Sequence, residues 1–274
     1  MRFGAVLTAG VAVTLASWSG ALPAAAQDDG DAWEPWERWS FAAGGFVADL
    51  DNTIRIGVPG VGVEIDVEDA LGLDRTQIVY RLDGAYRFGR TRRHRLDVTW
   101  FDLSRDATRV LEQEIEIDGV IYPVGTTVRS EYDLQFLNAR YSYSLYQDDR
   151  VDLAGSLGLH ITDVGLVVDE PARGRRGDGW TAPLPLIGAR LDVAITPNWY
   201  MRSHAAGLWI KTGDFEGRIA DLLFAGEYRG WEKFAIGAGV NSVRLFVESS
   251  DFGGFNGRIE SNFVGLMLYG KALF

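Results

Sequence analysis

The sequence predicts an all-β fold, an antiparallel transmembrane β-barrel of about ten strands, and three observations carry that prediction. From residue 39 onward, apolar and polar side chains alternate with period two in segment after segment. The connections between these segments alternate between short and long. A 26-residue stretch of secretory type precedes them.

The opening "MRFGAVLTAGVAVTLASWSGALPAAAQ" has one basic residue, Arg2, then an apolar run and the small residues Ala24, Ala25 and Ala26. This is the layout of a signal peptide cut after Ala26. The rival reading, a membrane anchor helix, is weakened by Gly10, Ser17, Ser19 and Gly20. The expected organisation is a signal peptide over 1–26, a periplasmic leader over 27–38 and a barrel over 39–274. The net charge of −11 argues against nucleic acid as a partner. There is no cysteine to staple a thin core. No later apolar run reaches the roughly 18 residues of a membrane helix.

The leader "DDGDAWEPWER" is acidic, and Trp33 and Trp36, with Trp39 just beyond, either sit at a membrane interface or belong to an unattached tail. In "TQIVYRLDGAYRF", Ile78, Tyr80, Leu82, Gly84 and Tyr86 form one face, and Arg81, Asp83 and Arg87 the other. In "VDLAGSLGLHIT", Val151, Leu153, Leu157, Leu159 and Ile161 oppose Asp152, Ser156, His160 and Thr162. In "PLIGARLDVAIT", Ile187, Ala189, Leu191, Val193 and Ile195 oppose Gly188, Arg190, Asp192 and Ala194. Strands are expected at about 39–50, 76–88, 94–105, 130–146, 151–165, 181–195, 199–211, 218–229, 234–247 and 259–274.

One strand is irregular. In "RSEYDLQFLNARYSYSL" the polar parity runs Glu131, Asp133, Gln135 and then switches to Asn138, Arg140, Ser142, Ser144. Either a β-bulge near Phe136 or an outer half projecting above the membrane produces such a switch.

Short turns are expected at 89–93, 147–150, 196–198 and 230–233, and long loops at 51–75, 106–129, 166–180 and 248–258, with 212–217 the short exception among the latter. Membrane barrels sort their connections in this way, and both ends of the barrel then fall at the short-turn end. "TIRIGVPGVGVEIDVEDALGLD" and "EQEIEIDGVIYPVGTTV" have strand-like character of their own, the second with a hairpin dipeptide at Asp118-Gly119. Both are expected to extend the wall outward as hairpins. Twelve strands is the competing count.

The final "VGLMLYGKALF" places Val264, Leu266, Leu268, Gly270, Ala272 and Phe274 at alternate positions. It resembles the insertion signal of bacterial outer-membrane barrel proteins, carried by Val264, Leu266, Leu268 and Phe274. Ala272 and Gly270 depart, since bulkier side chains usually stand there. The pattern from residue 27 onward, with "GVGVEIDVEDALGLD", "RHRLDVTWFDLSRD" and "GVNSVRL", resembles small porin-like or OmpW-like barrels of uncharacterised proteobacterial type. That resemblance implies an outer-membrane protein, recognised by the barrel assembly machinery, in contact with outer-membrane lipids and lipopolysaccharide. A monomer is expected.

If the apolar faces meet hydrocarbon, the other faces line the interior. Near the short-turn end this gathers Asp83, Arg87, Arg95, Asp97, Arg190, Asp192, Arg202, Glu227, Arg229 and Lys271. Charges in a narrow lumen must pair or stay wet, so this set is expected either to plug the barrel or simply to line it. No enzyme is expected. His94 lies at a turn, His160 faces the lumen, and Arg202 stands two before His204, where the ten-strand surface proteases have an aspartate. The His-x-Ser arrangement of lipid A deacylase barrels is also absent. No cofactor or metal is expected, although Glu64, Asp66 and Glu68 share a face if extended, with Asp69 beside them. Arg173, Arg175 and Arg176 are candidates for lipopolysaccharide phosphates. The leading functions are a narrow small-solute channel or a structural surface protein. The alternatives are a lipid A or peptide hydrolase and an adhesin acting through the long loops.

Overall fold

Only an extended backbone sends successive side chains to opposite faces, so the period-two segments become strands. The computed structural model describes residues 35–56, 65–112, 114–117, 120–172, 174–252 and 255–274; the signal-peptide segment and Trp33 lie outside them. In chain order the elements are β1 (Trp39–Ile56), β2 (Ile65–Asp66), α1 (Val67–Leu71), β3 (Thr76–Phe88), β4 (His94–Val110), β5 (Ile115–Ile117) and β6 (Val120–Tyr122). They continue with β7 (Thr127–Gln147), β8 (Val151–Glu170), β9 (Gly174–Ala194), β10 (Trp199–Thr212), β11 (Phe215–Trp231), β12 (Phe234–Phe252) and β13 (Phe255–Leu273).

Without β2, β5 and β6, ten strands form the wall, each antiparallel to the next. The ring closes where β13 pairs with β1, from Ser40↔Leu273 to Ile56↔Gly257. Closure leaves the short-turn half of the wall without an open edge, whereas farther out β9 and β10 part beyond the Ile187–Gly207 pair and β3 and β4 beyond the Asp102–Tyr80 pair. At the seam the Trp39 amide donates to the Phe274 carbonyl (2.8 Å), and the Phe274 amide donates back to Trp39 (3.0 Å).

The connections at 89–93, 148–150, 195–198 and 232–233 all lie at the end where residues 39 and 274 meet, and the opposite end has a tight turn of its own at Gly213-Asp214 between β10 and β11. Gly89 takes φ +83° in the β3–β4 turn. Asp148 accepts from the amides of Arg150 (2.8 Å) and Val151 (2.7 Å) in the β7–β8 turn. The opposite end differs from the sequence reading in two ways. First, the wall runs farther there: Glu170 pairs with Gly174, and Phe252 with Phe255, so 166–180 and 248–258 are mostly strand.

Second, the two segments expected to lengthen the wall turn inward instead. Asp66 caps α1 by accepting from the Asp69 amide (2.8 Å), and Gly72 ends it at φ +74°. Val67, Ala70 and Leu71 are buried on one side of that turn, with Leu73 beyond it. From the β5–β6 hairpin, a separate two-stranded sheet, Ile115 and Tyr122 are buried as well. Apolar side chains that meet neither lipid nor a neighbouring strand gain most by covering the barrel mouth. Residues 57–64 of the first segment and Asp118-Gly119 of the second fall outside the described residues.

The interior has two halves, which corrects the expectation that the polar faces line it throughout. At the short-turn half the inward residues are charged. At the other half they are apolar, among them Phe46, Leu50, Leu103, Leu134, Leu166, Leu184, Leu245 and Ile259, all in one buried cluster. Strand β7 shows both. Its even residues from Ser130 to Ser144 all point inward and are buried. Its register with β4 and β8 shifts only between Ser144 and Tyr146, so no bulge stands at Phe136. The chemistry switches sides while the parity does not. Leu137, Tyr141 and Tyr143 face outward below, and Glu131, Asp133 and Gln135 face outward above.

The outward apolar stretches cover 39–47 on β1, 137–145 on β7 and 264–274 at the chain end. Such spans match the roughly 9–11 residues with which a tilted strand crosses a bilayer. Large apolar side chains are exposed along them, Leu266 at 69 % and Leu268 at 68 %. Aromatic rings gather at the short-turn edge. Trp39 stacks on Tyr86 (3.9 Å), and Phe88 on His94 (5.2 Å), which also lies against Tyr143. Trp199, Tyr228 and Trp231 continue the series. Rings at this level form an interfacial girdle.

Candidate functional site

The short-turn mouth is covered by the residues just before β1. Trp36 is buried, donates its indole N–H to the Asp148 carbonyl (2.7 Å), and lies edge-on to Tyr200 and under the Arg87 guanidinium (5.3 Å). Glu37 accepts from Lys271 (2.8 Å) and Arg229 (3.0 Å). Burial pushes the Glu37 carboxyl upward, but Lys271, Arg229, Arg202 and Arg87 outweigh it and hold it well below its ordinary range. The backbone is fixed too, since the Arg87 amide donates to the Arg38 carbonyl (2.8 Å).

Behind this cover lies an ionic network in two groups, one around Asp152, Asp192 and Glu227 and one around Asp83 and Asp221. Arg87 and Arg190 meet Asp152 (2.5 and 2.9 Å), and Arg190 also bonds Asp192. Arg95 joins Asp97 (2.6 Å) to Asp192 (3.3 Å). Arg81 grips Asp83 through Nε and Nη2, and its Nη1 donates to Asn241 (2.9 Å). Asn241 then donates to Asp221 (3.0 Å), which pairs with Arg140 (2.9 Å) and the His204 Nε2 (3.0 Å). Glu227 receives Arg229 (2.6 Å) and Lys271 (3.2 Å), and the Arg229 guanidinium lies 3.8 Å from the Tyr200 ring centre. Strand geometry explains the joining: residues at i and i+2 share a face, and Arg202 is opposite Asp192 in the register. The network surrounds a cavity of about 90 Å³ whose wall includes Arg95, Asn138, Arg202, His204 and Lys271.

Above the cavity, four phenylalanines fill the cross-section. Phe101 lies 4.4 Å from Phe136 and 5.6 Å from both Phe46 and Phe263, ring centre to ring centre. Each of the four is at most 5 % exposed. Above them, Glu68 from α1 descends into the apolar half. It accepts from Asn52 (2.7 Å), the Asn52 amide (2.9 Å) and Arg105 (2.7 Å), and Arg105 lies over Tyr132.

All ten charged residues selected from the sequence point inward and belong to this network. Sequence reasoning left Arg81, Arg140 and Asp152 outside the set, although each occupies a polar-parity position. It also missed Asp221, Trp36 and Glu37. Val264, Leu266, Leu268 and Phe274 face outward, at 50–69 % exposure. The acidic set of the first loop is dispersed: Glu64 lies outside the described residues, Asp66 caps the helix, Glu68 is buried on Arg105, and Asp69 pairs with Arg75. The helix breaks the shared face that an extended chain would have given them. His94 bonds the Tyr141 hydroxyl (2.7 Å) on the outer wall. Arg175 pairs with Glu131 (2.6 Å); Arg173 lies outside the described residues.

The sequence matches no protein-family model and no curated protein. Among solved structures, the chain is similar to the outer-membrane protease OmpT from Escherichia coli. The TM-score is 0.54 at 8 % identity, over 90 % of this chain and 99 % of that one. The fold is that of a bacterial outer-membrane β-barrel. The transport unit of the Escherichia coli autotransporter AIDA-I (TM-score 0.43, 9 % identity, 86 % and 90 % covered) and Neisserial surface protein A (0.36, 10 %, 86 % and 97 %) are more distant. At these identities the likeness concerns the barrel alone.

Proposed function

We propose that this chain is an integral outer-membrane barrel whose lumen is closed at rest, and that it serves as a structural surface protein, not as an open channel. One observation carries the reading: three closures lie in series along a single lumen. They are the Trp36–Glu37 cover over the ion-paired half, the layer of Phe46, Phe101, Phe136 and Phe263, and the inward-folded α1 anchored by Glu68. Small barrels of about eight strands are filled by their side chains, and ten lies near that limit. The outward apolar belt and the aromatic girdle support a bilayer location with the short turns on the periplasmic side. Closure of the ring within one chain supports a monomer, with lipid around the belt and lipopolysaccharide around the outer half.

Hydrolysis is no part of the proposal. His204 and Asp221 form a hydrogen-bonded pair, but it lies inside the barrel at the arginine-lined cavity beneath the phenylalanine layer. Planar-bilayer recording of purified protein tests the reading. Silence is expected, and large, stable wild-type currents overturn it in favour of a small-solute channel.

A further inference from the structure

Charge counting inside the short-turn half leaves one cation over. Seven carboxylates, Glu37, Asp83, Asp97, Asp152, Asp192, Asp221 and Glu227, face eight cations among the described inward residues. Each carboxylate has a close partner of its own. Arg81 takes Asp83 (2.8 Å), Arg95 takes Asp97 (2.6 Å), Arg190 takes Asp192, and Arg87 takes Asp152 (2.5 Å). Arg140 takes Asp221 (2.9 Å), Arg229 takes Glu227 (2.6 Å), and Lys271 takes Glu37 (2.8 Å). Arg202 remains. It approaches only carboxylates already held by others, Glu227 at 3.5 Å and Asp192 at 3.7 Å, and donates no hydrogen bond among the described residues. Its side chain is 17 % exposed, more than any of the other seven cations, and it lines the 90 Å³ cavity.

We propose that this cavity is a binding site for one compact oxyanion, a carboxylate or phosphate, received by the Arg202 guanidinium. The guanidinium fork matches the paired oxygens of such an anion. The charge sum favours it too, since eight cations share seven carboxylates in this half and one anion balances them. The space fits: the cavity is large enough for more than one water, and one small oxyanion can stand in their place. The three carboxylates in the wall, Asp83, Asp97 and Asp192, are each neutralised by an arginine and do not repel it. His204 and the Asn138 amide, also in the wall, supply further polar contacts. The route runs from the short-turn mouth, under the segment that carries Trp36 and Glu37. Only this route rests on the closed-lumen reading; binding itself is independent of whether the barrel conducts.

The test is calorimetric titration of the folded full barrel in detergent, at constant ionic strength, with sodium acetate in one series and inorganic phosphate in another. Saturable one-site binding of at least one anion is expected. It should weaken at least about tenfold in Arg202→Met and be largely kept in Arg202→Lys. A second variant covers a failure of Arg202→Met to fold: Ala42→Leu fills the cavity from β1 and should abolish binding while leaving Arg202 in place. Heat-shifted gel mobility reports whether each barrel is folded. No saturable binding of either anion by folded wild type overturns the proposal, as does undiminished binding in folded Arg202→Met or Ala42→Leu. Conductance by a barrel that still binds would strike only the closed-lumen reading.

Discussion

The Lys271 ammonium stands 2.8 Å from the Glu37 carboxylate and 3.2 Å from both oxygens of Glu227. A residue of the last strand therefore holds the segment that precedes the first. The Lys271 side chain is 1 % exposed, so its partners gain nothing from water if it is removed. Replacing it with methionine should cost about 1–3 kcal/mol, the scale for losing a buried charged donor, because Arg229 still bonds both carboxylates. Guanidinium unfolding in micelles measures this, and a loss below about 1 kcal/mol would mean the contact is a wet surface pair instead.

The same contact gives a pH prediction. Glu37 has its folded-state value depressed well below 4.5, by cations that outweigh the upward push of burial. A depressed carboxylate stabilises the docked segment above its unfolded value, and that contribution fades as pH falls through the folded value. Docking of residues 35–38 should therefore be complete at pH 7, persist at pH 5 (roughly half a unit above the free carboxyl) and loosen only in stronger acid. Hydrogen exchange at the Arg87 amide, which donates to the Arg38 carbonyl, reports it. In Glu37→Gln the acid transition should vanish, and protection should be lower at every pH.

Why was the wall legible in the sequence while its closure was not? Strands such as β3 carry one chemistry outward and another inward over a full membrane span, so Tyr80 and Arg81 announce their sides. β7 was harder because its outward side chains are apolar only up to Leu137. Above that point the outward side chains are polar and the apolar side chains of Tyr132, Leu134 and Phe136 are inside, so an unbroken parity reads as a break. Periodicity cannot separate that inversion from a bulge. The inward turn of α1 did leave local marks, Asp66 and Gly72 around a one-turn helix, but the alternating run before it masked them. Glu37 left no mark at all: its role comes from Lys271, 234 residues away.

Three closures in series make a conductance prediction. Deleting residues 35–38 removes the mouth cover but leaves the phenylalanine layer, and Phe101→Ala with Phe263→Ala opens that layer but leaves the cover. Neither change alone should produce stable current in planar bilayers. Combined, they still leave α1, held by Glu68 on Arg105, as the third closure, so stable openings should require Glu68→Ala as well. The alanine changes should also cost about 3–5 kcal/mol each as cavities. Steady current from the deletion alone would place the seal at the mouth and not at the rings.

Tyr269 makes a close approach that only glycine permits. A Cβ at Gly237 would meet its ring at 2.2 Å and its hydroxyl at 2.4 Å. The ring thus lies over β12, with its hydroxyl donating to Glu227 (3.3 Å) at the edge of the network. Gly237→Ala should push the ring toward the cavity and lower stability by about 1–3 kcal/mol, the usual cost of overpacking. Paired with Tyr269→Phe, it should show whether that cost comes from steric displacement or from the lost hydrogen bond. A displaced ring keeps most of the penalty in the double variant, whereas a lost bond leaves the two changes sharing one cost.

The last prediction concerns the outer surface, on which every membrane argument depends. Leu268 and Asn262 both face outward on β13, separated by Leu266 and Val264. If the belt meets hydrocarbon from Val264 to Phe274, Leu268 lies well inside it and Asn262 just beyond. An arginine on the lipid face costs about 2–4 kcal/mol near the midplane and about 0–1 near the interface. Leu268→Arg should therefore destabilise the barrel in lipid bilayers by a few kcal/mol, while Asn262→Arg should be nearly neutral. The difference should shrink in short-chain detergent, whose thinner shell lets the guanidinium reach water. Equal costs at the two sites in bilayers would mean that lipid does not end where the outward chemistry changes, and the outer half of β7 would then need another explanation.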